Sequence, residues 1–397
     1  MNKKISVGLA ITITAICCAI TFVLTSSLSL NTFNSNVQGV KERAEMYKKL
    51  DTIDNYIRNY YIGEYDQQKL LDAISQGYVS ILNDKWARYT STADYLKEKK
   101  SDDGYLVGIG ITASKDKSGY IYVETVKSGS PAQEMNIKAG DLIIAVNDKQ
   151  VLSEGYEESV KAISGESGTS VTLTIRSDGE DKTISLTRKE IEIISVNSKM
   201  IDDIGYIQIT EFNSKTTTQF KQAVNALISS GAKGLIFDVR NNGGGLLDPT
   251  LNMLDFLLPK GDIATATYKN GKTEVLGTSD KSEIDTPMIV LVNSRTASAA
   301  ELFASALRDY DKAKLVGSNT YGKGVMQDTY QLQDGSAVTF TIAKFQTTKT
   351  PNFDGVGLKP NYEVTLENDT AADLEKLDKT TDTQLKKAIE ILSTSID

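Results

Sequence analysis

The chain has 397 residues and a formal net charge of −8, with 44 Lys and Arg against 52 Asp and Glu. That length corresponds to two or three domains, and the acidic balance argues against nucleic acid as a main partner, because phosphate neutralisation needs a basic surface. There is no histidine, and the two cysteines, Cys17 and Cys18, sit together in an apolar stretch. A Ser-His-Asp triad, a Cys-His pair and a His-ligated metal are excluded. A Cys-rich zinc site and a disulfide framework are disfavoured as well. An acyl-transfer enzyme of this composition needs a Ser or Thr nucleophile with a Lys, carboxylate or amine base.

The chain opens with Lys3 and Lys4, followed by a charge-free apolar run over 5–24. Twenty helical residues match the thickness of a bilayer core. The run predicts an uncleaved anchor, with residues 1–30 as a signal-anchor or transmembrane segment. A cleaved signal peptide is the competing expectation. The preceding lysines predict a cytoplasmic N-terminus and an extracytoplasmic catalytic region. Residues 31–37 are polar and read as a linker. Residues 38–103 read as helical, from stripes such as Met46, Leu50, Ile53, Ile57 and Tyr60 at spacings of three and four. From Gly104 the texture becomes short β-type runs, including alternating Ile121, Val123 and Thr125 and Val171, Leu173 and Ile175, with the block ending near Arg188. From 189 to 366, strand candidates at 204–209, 233–239, 288–293 and 337–345 alternate with helical stretches at 215–230, 246–258 and 299–310. That pattern reads as α/β. The tail, 367–397, is polar and closes with an amphipathic helix.

Four constellations carry chemistry. In Val107-Gly108-Ile109-Gly110-Ile111, glycines alternate with apolar residues before a strand. Such a loop turns its N–H groups toward a peptide carboxylate, and the strand pairs with the incoming tail. An ordinary glycine-bearing hairpin would read the same. Ser130-Pro131-Ala132 and Ala139-Gly140-Asp141-Leu142-Ile143 follow at the spacing of a PDZ domain, which 104–188 resembles. In Asp238-Val239-Arg240-Asn241-Asn242-Gly243-Gly244-Gly245, a buried strand ends in a glycine-rich loop before a helix. It suits an anion, either phosphate or a transient oxyanion, but a tight turn alone would need the same glycines. In Thr296-Ala297-Ser298-Ala299-Ala300-Glu301, Ser298 and Glu301 match a capping box. The same corner could present Ser298 as a nucleophile beside the Ala299 N–H, and local spacing leaves Ser294 and Thr296 open. In Gly322-Lys323-Gly324, a phosphate-binding P-loop fails because Gly324 stands where Ser or Thr is required and a strand follows. Strand alternation would put Lys323, Val325 and Gln327 on one face, so that Gln327 orients the amine. A buried, neutral Lys323 could take the Ser298 proton.

Taken together, these segments resemble the C-terminal processing peptidases, also called tail-specific proteases, over about residues 40–395. Further markers are Ile204-Gly205-Tyr206-Ile207, Gly355-Val356-Gly357-Leu358-Lys359-Pro360 and Asp382-Thr383-Gln384-Leu385. The resemblance implies a serine nucleophile 25 positions before the catalytic lysine, and 323 − 298 = 25 selects Ser298 over Ser294 and Thr296. It implies Gln327 as the third member of the site and an oxyanion hole from Gly244 and Ala299. It implies tail capture by Val107, Gly108, Ile109, Gly110 and Ile111. It also implies a crotonase-like, mixed α+β protease core with an inserted PDZ domain and a helical N-terminal dimerisation region. No metal or other cofactor is expected. Partners would be polypeptides with apolar C-terminal tails, a second copy of the chain, a membrane through 5–24 and an activating or adaptor protein, with no nucleic acid. Three departures stand out: Gly243 replaces the family's usual proline, Thr296 and Ala300 replace common serines, and Ser164 replaces a basic residue before Gly165. The expected function is therefore that of a serine endopeptidase working through an acyl-enzyme in regulated extracytoplasmic proteolysis. A catalytically silent PDZ scaffold is the alternative from another class, and a nucleotide hydrolase is disfavoured by Gly324.

Overall fold

The computed structural model describes residues 7–280, 283–366, 374 and 377–396. The chain divides into two units, Met1–Leu71 and Asp72–Asp397.

The first unit is dominated by one helix, Val7–Tyr60, of 54 residues. The backbone is helical through 31–37, where a linker was expected. That segment holds no proline or glycine to interrupt the helix. Residues 1–6, where the apolar run begins, lie outside the described residues. Among the described residues no helix is long and apolar enough to cross a membrane. The expected anchor therefore has no support from the fold and stands on the sequence of 5–24 alone.

The second unit is built on a six-stranded sheet. Its strands run in the order Val196–Ile201, Ile204–Ile209, Gly234–Asp238, Met288–Val292, Ala313–Gly317 and Tyr362–Glu363. The first pair is antiparallel and every later pairing is parallel. The central strands Gly234–Asp238 and Met288–Val292 are buried at every position, which is why 235–237 and 288–292 read as continuous apolar runs. One face is covered by helices Thr216–Ser229, Leu247–Leu257 and Ala299–Asp309, around Phe220, Phe237, Leu254 and Phe303. The other packs Ile236, Ile289 and Leu291 on Leu385, Ala388 and Leu392 of the helix Thr383–Ile396.

A second, five-stranded sheet is antiparallel and centres on Ala337–Thr347, flanked by Val325–Gln331 and Gly261–Tyr268. The short strand Arg88–Thr90 joins it through Ala337–Thr339. This corrects the all-helical expectation for 38–103: the segment after the helix Gln67–Ser80 contributes an edge strand of the protease sheet. Its Tyr89 and Thr90 are good strand formers.

Between the two sheets in sequence lies a separate small domain. Tyr105–Gly108 pairs with Lys189–Glu192 as a neck. Beyond it, strands Ile111–Lys115, Ile121–Val126, Leu142–Val146, Ser170–Ser177 and Glu180–Thr187 form a sheet with its own core of Ile121, Val123, Ile143 and Leu173. Ile111–Lys115 is an edge strand of that sheet.

Candidate active site

Three neighbouring parallel strands deliver the candidate residues. Gly234–Asp238 runs into the glycine loop 241–245, Met288–Val292 into the turn 293–298, and Ala313–Gly317 into the loop 318–324. All three loops leave the carboxyl ends of adjacent strands, where ligands of open α/β sheets gather. Backbone bonds tie them together: Ala297 N–H donates to Asn242 O at 2.9 Å, and Tyr321 N–H to Thr296 O at 3.0 Å.

Ser298 sits at the corner between strand and helix with φ 56° and ψ −118°. A non-glycine residue held there is strained, and such strain clusters at functional sites. The two alternatives left open by spacing sit elsewhere in the fold. Thr296 is fully buried and donates its hydroxyl to Val239 O at 2.8 Å, while Ser294 is exposed and does not line the cleft.

Glu301 is fully buried one turn into the helix. Its Oε2 accepts from Ser298 N–H at 2.9 Å and from Lys323 N–H at 2.8 Å, and its Oε1 accepts from Gly322 N–H at 2.7 Å and from the Thr320 hydroxyl. Burial raises its pKa above the usual carboxylate range, although the donors from Thr320, Lys323, Gly322 and Ser298 oppose that shift. In sequence, Glu301 reads only as part of a helix cap. Its link to 320–323 is a long-range contact with no local signature.

Lys323, Ser298, Ala299 and Gln327 line one cleft of about 540 Å³. Leu247, Leu276, Leu302, Ile342 and Phe345 give part of its wall an apolar surface. Burial pushes the Lys323 amine below the ordinary lysine range, aided by the charges of Arg88 and Lys85 and opposed by those of Asp84 and Glu301. Its Nζ lies 3.9 Å from the ring centroid of Trp86. Among the described residues no hydrogen bond joins it to Ser298 or Gln327.

Gln327 departs from expectation. The strand begins at Val325, after Lys323, and a register shift between Met326 and Gln327 breaks the alternation that would have aligned the two side chains. Gln327 Nε2 instead donates to Thr341 Oγ1 at 3.2 Å, and Thr341 donates to Asp84, from its N–H at 2.8 Å and its hydroxyl at 3.2 Å. Burial acts to raise the Asp84 pKa, but the donors from Thr341 and Trp86 and the Lys323 charge hold it low.

The glycine loop lies against Ser298. A Cβ on Gly244, which has φ 104°, would fall 2.9 Å from Ser298 Cβ and 3.1 Å from Ala299 N. Yet the Gly244 N–H donates to Asn242 Oδ1 at 2.8 Å, so the expected oxyanion donor is engaged within its own loop. Ala299 is the first helical residue, and its N–H has no acceptor inside the helix. At Gly243, where proline was expected, a Cβ would meet nothing within 4 Å. The loop is held from below by Arg240, whose guanidinium contacts Asp238, Asp382 at 2.8 Å and Gln384 at 3.0 Å, with all four residues buried. Burial would lower the Arg240 pKa, but the two carboxylates override it and raise it.

In the small domain, Gly110 has φ 81°, and a Cβ there would collide with Ser130. Ile109 is buried in the local core, and its carbonyl accepts from Ala132 N–H at 2.9 Å. Ile109 is thus a structural residue of the loop, whereas Gly108 has open space around it. Tyr156, opening the helix Tyr156–Ile163, donates its hydroxyl to Ala113 O at 3.3 Å on the edge strand. At the position of the basic residue expected before Gly165, the neighbouring carbonyls of Ala162 and Ile163 are bound by Arg188.

A strained serine over a glycine loop, with a desolvated lysine in the same cleft and a small β domain inserted beside it, defines a serine-type peptidase carrying a PDZ domain. Residues 203–364 match the family described as Peptidase family S41, and residues 96–176 match the PDZ domain. The chain is 34% identical over 354 residues to the "Carboxy-terminal processing protease CtpA" of Bacillus subtilis (strain 168), covering 87% of this chain and 76% of that one. It is 33% identical to a "Probable CtpA-like serine protease" of Staphylococcus aureus (strain N315), covering 83% and 67%. Its fold is similar to that of a photosystem II D1 C-terminal processing protease, with a TM-score of 0.50, 27% identity, and 85% and 91% of the two chains covered. The chain belongs to the C-terminal processing peptidases of peptidase family S41.

Proposed function

We propose that this peptidase cleaves through a Ser-Lys pair. The observation that carries the reading is the strained Ser298 corner sharing one cleft with a lysine whose amine burial biases toward the neutral form. Lys323 takes the Ser298 hydroxyl proton as Oγ attacks the peptide carbonyl. The tetrahedral oxyanion is met by the Ala299 N–H, and by Gly244 N–H once it leaves Asn242. Lys323 returns the proton to the departing amine, and water then hydrolyses the acyl-enzyme. Gln327 acts as a positioning residue by bracing Thr341 and Asp84 beneath the lysine loop. The apolar wall of the cleft favours apolar side chains at the cleaved position.

The PDZ domain captures an apolar C-terminal tail by strand addition to Ile111–Lys115, whose outer edge is unpaired in its sheet. Val107, Gly108, Ile109, Gly110 and Ile111 shape that end of the groove. The charge-free run 5–24 behind Lys3 and Lys4 supports membrane attachment with the catalytic region outside. Homodimerisation through the helical flanks and control by an adaptor protein rest on the family resemblance.

The test is digestion of an unfolded reporter with an apolar tail by the parent chain and by the Ser298→Ala and Lys323→Ala variants. Cleavage by the parent alone supports the pair, and cleavage by either variant overturns it.

A further inference from the structure

Trp86 is the only tryptophan of the chain. It sits in the turn between the helix Gln67–Ser80 and the strand Arg88–Thr90, outside every motif that carried the family resemblance. The turn is firmly built. Trp86 N–H donates to Asp84 Oδ1 at 3.0 Å, and Asp84 is in turn bound by Thr341 in the protease sheet. The indole packs edge-on against Tyr321 with ring centroids 6.1 Å apart. Its face receives Lys323 Nζ at 3.9 Å and Lys85 Nζ at 4.8 Å.

We propose that Trp86 is a positioning residue for Lys323, parking the amine on the indole face in the resting enzyme and setting the balance between that parked cation and the free base that reaches Ser298. This rests on the reading in which Lys323 is the base. An ammonium over an indole at this distance is held by the ring quadrupole, more strongly where water is excluded. Lys323 has no competing hydrogen-bond partner among the described residues, so the ring is its principal contact. The groups that bear on the amine are Arg88 on the edge strand and Lys85 in the turn, which disfavour the cation, and Asp84 in the turn and Glu301 on the helix, which favour it. Trp86 lies among them and rewards only the protonated amine. A peptide entering the cleft must draw the amine off the ring, so Trp86 opposes premature activation of Ser298.

Because Trp86 is the only indole, its fluorescence reads Lys323 without any substrate. The full chain is titrated with pH, exciting at the red edge where tyrosine does not absorb. Loss of charge over the ring should give an emission step below the ordinary lysine range. That step should vanish in Lys323→Met and persist in Lys85→Met. A titration unchanged by Lys323→Met overturns the proposal. As a second readout, Trp86→Leu keeps an apolar cover but removes the ring face. Its acid limb in the pH profile of reporter cleavage should move down by up to about one unit, while Trp86→Phe stays near the parent. Coincident Leu and parent profiles also overturn it. Cleavage by Ser298→Ala would instead defeat the Ser-Lys reading and leave the fluorescence result standing.

Discussion

Ser298 and Lys323 donate their backbone N–H groups to one and the same carboxylate oxygen, Oε2 of Glu301, at 2.9 and 2.8 Å. The two candidate catalytic residues come from different strand ends, yet their main chains are pinned to a single buried atom. The separation of their main chains is therefore fixed, and only the lysine stem is left to carry the amine to Ser298.

Glu301→Gln should lower kcat by about 10- to 100-fold with KM little changed. An amide offers one acceptor oxygen where four donors converge, which is worth about 1.5–3 kcal/mol for charge-assisted bonds. Steady-state kinetics on the reporter checks this. An unchanged kcat would show that the clamp does not position the pair.

Lys323→Met should abolish cleavage while raising the thermal midpoint at neutral pH. The Lys323 pKa is lowered on folding, so the unfolded chain binds the proton more tightly and parent stability rises with pH through the folded pKa. The midpoints of parent and variant should therefore converge as the solution becomes alkaline. Calorimetry across pH tests it, and a constant gap would contradict the desolvation of the amine.

Gly245→Ala should destabilise the chain by about 2–3 kcal/mol and cost at least about tenfold in activity. Gly245 has φ 139°, and a Cβ there would lie 2.2 Å from Phe212 O. Gly243→Ala is the control, with open space at that position, and should fold and cleave like the parent. Chemical denaturation of both variants separates the outcomes.

Asp382→Ala should cost about 3–5 kcal/mol, because it strips one partner from a buried guanidinium. The activity of the surviving folded fraction should fall too, since Arg240 anchors the strand end from which the glycine loop departs. Full activity per folded molecule would show that the loop is independent of the C-terminal helix.

The protease sheet was largely legible because its central strands are buried on both faces and read as apolar runs, as in Leu235-Ile236-Phe237 and Met288–Val292. The hairpin Gly261–Tyr268 with Thr273–Ser279 was not, since its Thr, Ala and Gly content gives little alternation. The Ser298 and Lys323 positions were found by motif, and the fold brings both to one cleft. Gln327 lines the same cleft, but the register shift that breaks its alignment with Lys323 leaves no mark in sequence. Neither the Asn242 side chain that engages the Gly244 N–H nor the lysine that faces Trp86 has a local signature. Such long-range pairings depend on topology, and no local period encodes them.

The contacts of Arg240 with Asp382 and Gln384 also impose an order in time. A ribosome delivers Ser298 and Lys323 well before residues 382–384, so a growing chain holds both side chains while the brace beneath its glycine loop is still unmade. The brace that joins the C-terminal helix to the glycine loop is thus the last of these contacts to be translated.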